Sequence, residues 1–132
     1  MFARLALLGF FPFLIYLVYS ANHGAIPKLF AFHKSIPYGD ALGHFCLAGT
    51  FSFLATLCTR ARTFHVARLY LPAGVVIVFL IVILEEISQI FIPSRSFSMI
   101  DLCADTVGIA LGGWLAYPAL QLQRKSITDP DS

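Results

Sequence analysis

The chain has 132 residues, enough for one domain, and 58% of them are hydrophobic while only 12% are charged. Soluble domains carry about 25% charged residues, and disordered chains combine low hydrophobicity with high charge, so neither class fits. A net charge of +2 is far short of a basic nucleic-acid footprint, and a mean hydropathy of +0.81 leaves an integral membrane protein.

A hydrocarbon core about 30 Å thick asks for about 20 apolar residues per helix. Four stretches meet that demand, predicting an all-α integral membrane bundle of four transmembrane helices at 2–20, 41–58, 69–92 and 100–122. Together they make one transmembrane domain, 1–123, followed by a polar, frayed tail at 124–132. The first stretch carries a passable cleavage site at Val18 and Ser20, but its single Arg4 and long apolar run favour a retained helix. Between the first and second spans lies a longer loop, broken by Pro27 and Pro37, whose Leu29, Phe30 and Phe32 are expected to rest on headgroups. A short basic loop at 59–68 and a tight turn at 93–99 make the other connections. Cys46, Cys58 and Cys103 have no metal-type spacing and read as small buried apolar side chains.

Orientation follows from Lys and Arg beside the spans. Arg4, Arg60, Arg62, Arg68, Arg124 and Lys125 fall on one side, against Lys28, Lys34 and Arg95 on the other. This places both termini in the cytoplasm. Tyr16, Tyr19 and Tyr38 then belong to the outer interface, and Tyr70, Trp114 and Tyr117 to the inner one.

On that topology Asp40, His44, Glu85, Glu86, Gln89, Arg95, Asp101 and Asp105 all lie towards the outer leaflet. An ionisable group inside a bilayer costs about 2.5–3.5 kcal/mol on insertion scales, so such groups turn towards protein or water and find partners. At about 100° per residue, Gln89 projects between Glu85 and Glu86. Asp101, Asp105, Gly108 and Gly112 share one narrow face of the last helix, and the G-x-x-x-G lets a neighbouring backbone approach. Asp40 and His44 share a face of the second helix.

Each of these residues also has a plain structural role open to it. Ser98-x-x-Asp101 is a capping box, Asp40 an N-cap, and Arg95 an ion-pair partner for Glu86 and Asp101. One of Glu85 and Glu86 can simply reach the hydrated interface. A carboxylate–His metal site is chemically conceivable, but no His-x-x-His or Glu-x-x-His helix occurs, so no metal ligand and no cofactor is assigned. Ser88, Ser94, Ser96 and Ser98 have no base at a fixed spacing to make a nucleophile of them. Glu86 with His44 is a reasonable proton-moving pair.

Asp40-x-x-x-His44-Phe45, then Glu85-Glu86-x-x-Gln89-x-x-x-Pro93-x-Arg95, then Asp101, Gly108 and Gly112, in that order, resemble the VanZ-like family of small bacterial membrane proteins. Its pattern reads D-K-x-x-H-F, then roughly D-E-x-x-Q-x-F-x-P-G-R, then an Asp, an Asn and paired glycines. The likeness spans about residues 38–116, with Ala41 in place of Lys, Glu85 of Asp, Ser94 of Gly and Asp105 of Asn. It implies a multi-pass protein of the bacterial plasma membrane and, for the family's namesake, a part in resistance to teicoplanin-type glycopeptides.

Two functions are therefore expected to compete. In the first, an outer-leaflet polar site binds or acts on an envelope lipid, a cell-wall precursor or a glycopeptide. There Glu86 and His44 are the catalytic candidates, and Arg95, Asp101, Gln89, Asp40, Glu85 and Asp105 bind and orient. In the second, the cluster only locks the bundle of an accessory subunit in an envelope assembly. Transport ranks behind both, since four short helices leave little room for alternating access unless the chain oligomerises. The expected partners are the bilayer and a lipid-linked precursor or glycopeptide, not nucleic acid.

Overall fold

The computed structural model describes residues 2–24, 37–66, 69–93, 95 and 97–128, with backbone only for 66, 69 and 123–128. Lys28, Leu29, Phe30, Phe32, Lys34, Arg68, Ser94 and Ser96, and the side chains of Arg124 and Lys125, lie outside the described residues. The order is α1 (Phe2–Asn22), α2 (Gly39–Cys58), β1 (Thr63–Val66), β2 (Leu69–Pro72), α3 (Ala73–Gln89) and α4 (Met99–Thr128). The class is all-α, with one small hairpin.

Among the described residues, three of the four helices are long and apolar enough to cross a bilayer: α1, α2, and Met99–Leu122 of α4. The third predicted span, 69–92, divides instead. Its first residues pair as a strand, with Thr63 opposite Pro72 and Val66 opposite Leu69, and the helix itself has 17 residues. Leu69-Tyr70-Leu71-Pro72 is as apolar as a helical turn, so hydropathy alone does not separate the two states. Pro72 does separate them: it has no N–H for a ladder or helix interior and stands where the strand ends and α3 begins. Ala73 N–H, bonded to Arg62 O at 2.6 Å, ties that junction down. The last helix also exceeds its predicted end at 122, its backbone remaining helical to Thr128, so residues 124–128 of the expected tail continue the helix.

Short connections make α3 antiparallel to both α2 and α4, so α2 and α4 run side by side in the same direction. Theirs is the most extensive interface among the described residues. Small residues cause it. A Cβ on Gly108 would collide with the backbone carbonyl of Phe45, one on Gly112 with that of Gly49, and one on Gly49 would sit 3.1 Å from Gly108 O. At such separations Ser52 Oγ donates to Ile109 O at 2.8 Å, a hydrogen bond between helices in a fully buried place. Ala48, Phe51, Ala55, Val78 and Ile109 form the apolar core beside it. The first helix leans on this core through Phe10 and Phe11, whose rings lie 6.4 and 5.9 Å from that of Phe51.

The outer faces remain apolar and uncovered. Leu5 and Leu8 on α1, Leu80 and Leu84 on α3, and Val107 and Trp114 on α4 are exposed, as an acyl-chain environment requires. Cys46 and Cys103 belong to this exposed surface and Cys58 is half-buried, so none fills the interior place expected for it. The reason is position: each falls off the small-residue face that α2 and α4 share.

At the other end of α2 the chain leaves through a Schellman turn. Arg60 N–H bonds Leu57 O and Ala61 N–H bonds Thr56 O, which satisfies carbonyls the helix leaves open. Arg60 and Ala61 adopt φ of 53° and 52° to do so, a left-handed conformation usually given to glycine.

Candidate functional site

The start of α2, the end of α3 and the start of α4 meet at one end of the bundle. His44 is one turn inside α2, Glu86 and Gln89 lie in the last turn of α3, and Asp101 and Asp105 lie in the first two turns of α4. Glycine packing between α2 and α4 fixes the mutual height of their ends. The turn after Gln89 then returns α4 beside α3, with Ile90, Phe91 and Ile92 N–H bonded back to Ile87, Ser88 and Gln89 carbonyls.

The inner part of the cluster is dry. Glu86 is 1% exposed and Asp105 3%. His44 Nδ1 and Asp105 Oδ2 are 3.0 Å apart, a hydrogen bond from one helix to the other. One ligand-type atom from each of His44, Glu86 and Asp101 lies within 4.8 Å of the other two. Ser98 Oγ accepts the Asp101 N–H at 3.3 Å, so the expected cap is present. It holds the backbone of Asp101 while the carboxylate faces His44 and Glu86.

The outer part is a second network. Gln89 Nε2 donates to Glu85 Oε2 at 2.8 Å and to Glu86 Oε1 at 3.3 Å. Arg95 Nε donates to Gln89 Oε1 at 3.4 Å, and its Nη2 lies 3.6 Å from Glu85 Oε1. Gln89 therefore joins the two acids, and Arg95 neutralises Glu85 rather than Glu86 and Asp101 as the sequence suggested. Arg95 is held near Glu85 by the turn that carries it, while Glu86 points inward, one helical step away.

Of the residues expected to form a site, His44, Glu86, Asp101 and Asp105 converge, and Glu85, Gln89 and Arg95 adjoin them. Asp40 is exposed in the first turn of α2. Gly108 and Gly112 lie against the backbones of Phe45 and Gly49. Sequence reading missed their counterpart, Gly49, along with buried Ser52 and Thr56. A signal was present: Ala48, Ser52 and Thr56 recur every four residues, a small-residue stripe of the kind that pairs membrane helices.

The family model described as VanZ/LLP1 matches residues 5–121. The chain belongs to the VanZ/LLP1 family. No curated protein and no solved structure matches it. As a member of this family with several membrane-spanning helices, it is a multi-pass protein of the bacterial plasma membrane. Among its departures from the VanZ-like pattern, Asp105 now has a place, since it is the residue that engages His44. Ser94 lies outside the described residues.

Proposed function

We propose that this VanZ/LLP1 protein binds, through the polar end of its bundle, the head of an envelope lipid, a lipid-linked cell-wall precursor or a lipid-bearing glycopeptide. The observation that carries this reading is the convergence of His44, Glu86, Asp101 and Asp105 at one end of a bundle whose flanks are otherwise apolar. A ligand with an apolar tail and a polar head fits that division: the tail against the exposed faces, the head at the cluster. Arg95, within reach of solvent, receives the anionic part of the head, Glu86 and His44 move a proton where chemistry follows, and Asp101 and Gln89 orient them.

In this reading α3 also crosses the membrane, giving four spans with both termini in the cytoplasm and the cluster at the outer leaflet. At 17 residues α3 stands at the short end of the range that spans a bilayer. Its support is the pairing with α2 and α4 along its length and the basic residues at 60 and 62, beside the opposite end of α2.

A second reading has an observation of its own. The Arg95–Glu85–Gln89–Glu86 network closes on itself, as a structural lock in an accessory subunit would. Glu86→Gln, Arg95→Lys and Asp101→Asn separate the two. The binding reading expects each to abolish a glycopeptide-susceptibility phenotype at unchanged membrane abundance. Abundance that falls in step with phenotype favours the lock, and three variants that behave as wild type refute the site. A reporter at the C-terminus that is active only outside the cytoplasm would also refute the outer-leaflet placement.

A further inference from the structure

We propose that His44, Glu86 and Asp101 bind a divalent transition-metal ion, Zn²⁺ or Mn²⁺, with Asp105 orienting the histidine. The inference deepens the headgroup reading by giving an anionic head a cation to meet, it replaces the proton-moving role of Glu86 and His44 with a ligating one, and it rests on the cluster being a site rather than a lock.

Three independent features converge on it. The first is geometry: ligand-type atoms from three different helices lie within 4.8 Å of one another. Metal–ligand bonds of about 2.0–2.2 Å set neighbouring ligands about 3–3.5 Å apart, so side-chain rotation of roughly an ångström closes the set without moving a helix. The second is an open valence. Glu86 is 1% exposed, and among the described residues its Oε2 has no hydrogen-bond partner, although Oε1 accepts from Gln89. A buried carboxylate oxygen left without a donor is costly, and a bound cation removes that cost. The third is the histidine. His44 Nδ1 lies 3.0 Å from Asp105 Oδ2, so the neutral imidazole that donates to this carboxylate carries its lone pair on Nε2, the arrangement in which a carboxylate orients and strengthens a metal-binding imidazole.

Charge points the same way. Arg95 is engaged by Glu85, which among the described residues leaves Glu86, Asp101 and Asp105 around one imidazole inside a low-dielectric bundle. A divalent ion balances that excess. Imidazole beside carboxylates suits Zn²⁺ or Mn²⁺, whereas Mg²⁺ and Ca²⁺ prefer all-oxygen sets. Each ligand comes from a different helix, so no two share the helical spacing by which metal sites are read from sequence, and the absence of a His-x-x-His or Glu-x-x-His told nothing about this one.

The test uses the full chain, purified in detergent without a histidine tag, delipidated, stripped with chelator and titrated separately with Zn²⁺, Mn²⁺ and Mg²⁺. Protein-bound metal is read by elemental mass spectrometry. One Zn²⁺ or Mn²⁺ per chain is expected, with no retention of Mg²⁺. His44→Ala and Asp101→Asn should lose the ion, and Asp105→Ala should weaken its binding by about 10–100-fold. Glu86→Gln keeps the shape of the side chain and should lose the ion while eluting as a monodisperse folded protein. Should the wild type retain no Zn²⁺ or Mn²⁺ at micromolar concentration, or should His44→Ala and Asp101→Asn bind as tightly as the wild type, the proposal is overturned. Because the protein is lipid-free, that failure is distinct from failure of headgroup binding, which lipid copurifying with metal-free protein would still support.

Discussion

At the scale of single residues, Ser52 and Gln89 show how buried polar groups find partners, while among the described residues Thr56 Oγ1 and Glu86 Oε2 accept or donate no hydrogen bond. Ser52 is fully buried yet spends its hydroxyl on Ile109 O, and Gln89, 3% exposed, spends its amide on two carboxylates. The sequence revealed that Glu86, His44 and Asp101 must find partners, because charge in a bilayer has few alternatives. It did not reveal which partners, since His44 meets Asp105 and Arg95 meets Glu85 through contacts 61 and 10 residues apart in the chain. Arg60 shows a cost of another kind. Its φ of 53° closes the turn after α2, and an L-residue pays about 1–2 kcal/mol for left-handed backbone. Glycine avoids that penalty but loses roughly 0.5–1 kcal/mol in unfolded-state entropy. Arg60→Gly is therefore expected to raise stability by up to about 1 kcal/mol in a detergent unfolding titration. A loss of stability would mean that the side chain, not the backbone, holds the turn.

At the scale of elements, hydropathy sufficed for α1, α2 and α4, whose long apolar runs admit one state in lipid. It failed at 69–72, where an apolar strand and an apolar helix carry the same composition and only Pro72 marks the boundary. Helix pairing was legible in Gly108 and Gly112, but the other half of the interface lies in Gly49 and Ser52, on a helix whose sequence stands out more for His44 than for its small residues. The glycines differ sharply in what they permit. Gly112 faces the Gly49 backbone carbonyl, a neighbour with no rotamer to yield, whereas Gly43 has nothing within 4 Å. Gly112→Ala should cost about 1–3 kcal/mol through overpacking, outweighing its gain in helix propensity. Gly43→Ala, with the same propensity gain and no clash, should be stabilising by up to about 1 kcal/mol. The same unfolding titration reads both, and equal effects would contradict close contact between α2 and α4.

At the scale of the molecule, scarce charge and its placement belong to one design. Glycine contacts set the α2 and α4 backbones side by side, short turns return α3 between their ends, and the acids collect where three helix ends meet. Away from that end the flanks of the helices are largely apolar and the interior holds no charged side chain among the described residues, so in the proposed reading the polar end is where a lipid-like molecule gains from both its parts. That makes retention of a ligand the most direct test. Lipids that copurify with the wild type, with Glu86→Gln and with Asp101→Asn, extracted at matched abundance, are compared by mass spectrometry. A polar-headed lipid or lipid-linked precursor enriched with the wild type and lost from both variants is the expected result. The same lipid profile in all three would contradict a headgroup site at this end of the bundle.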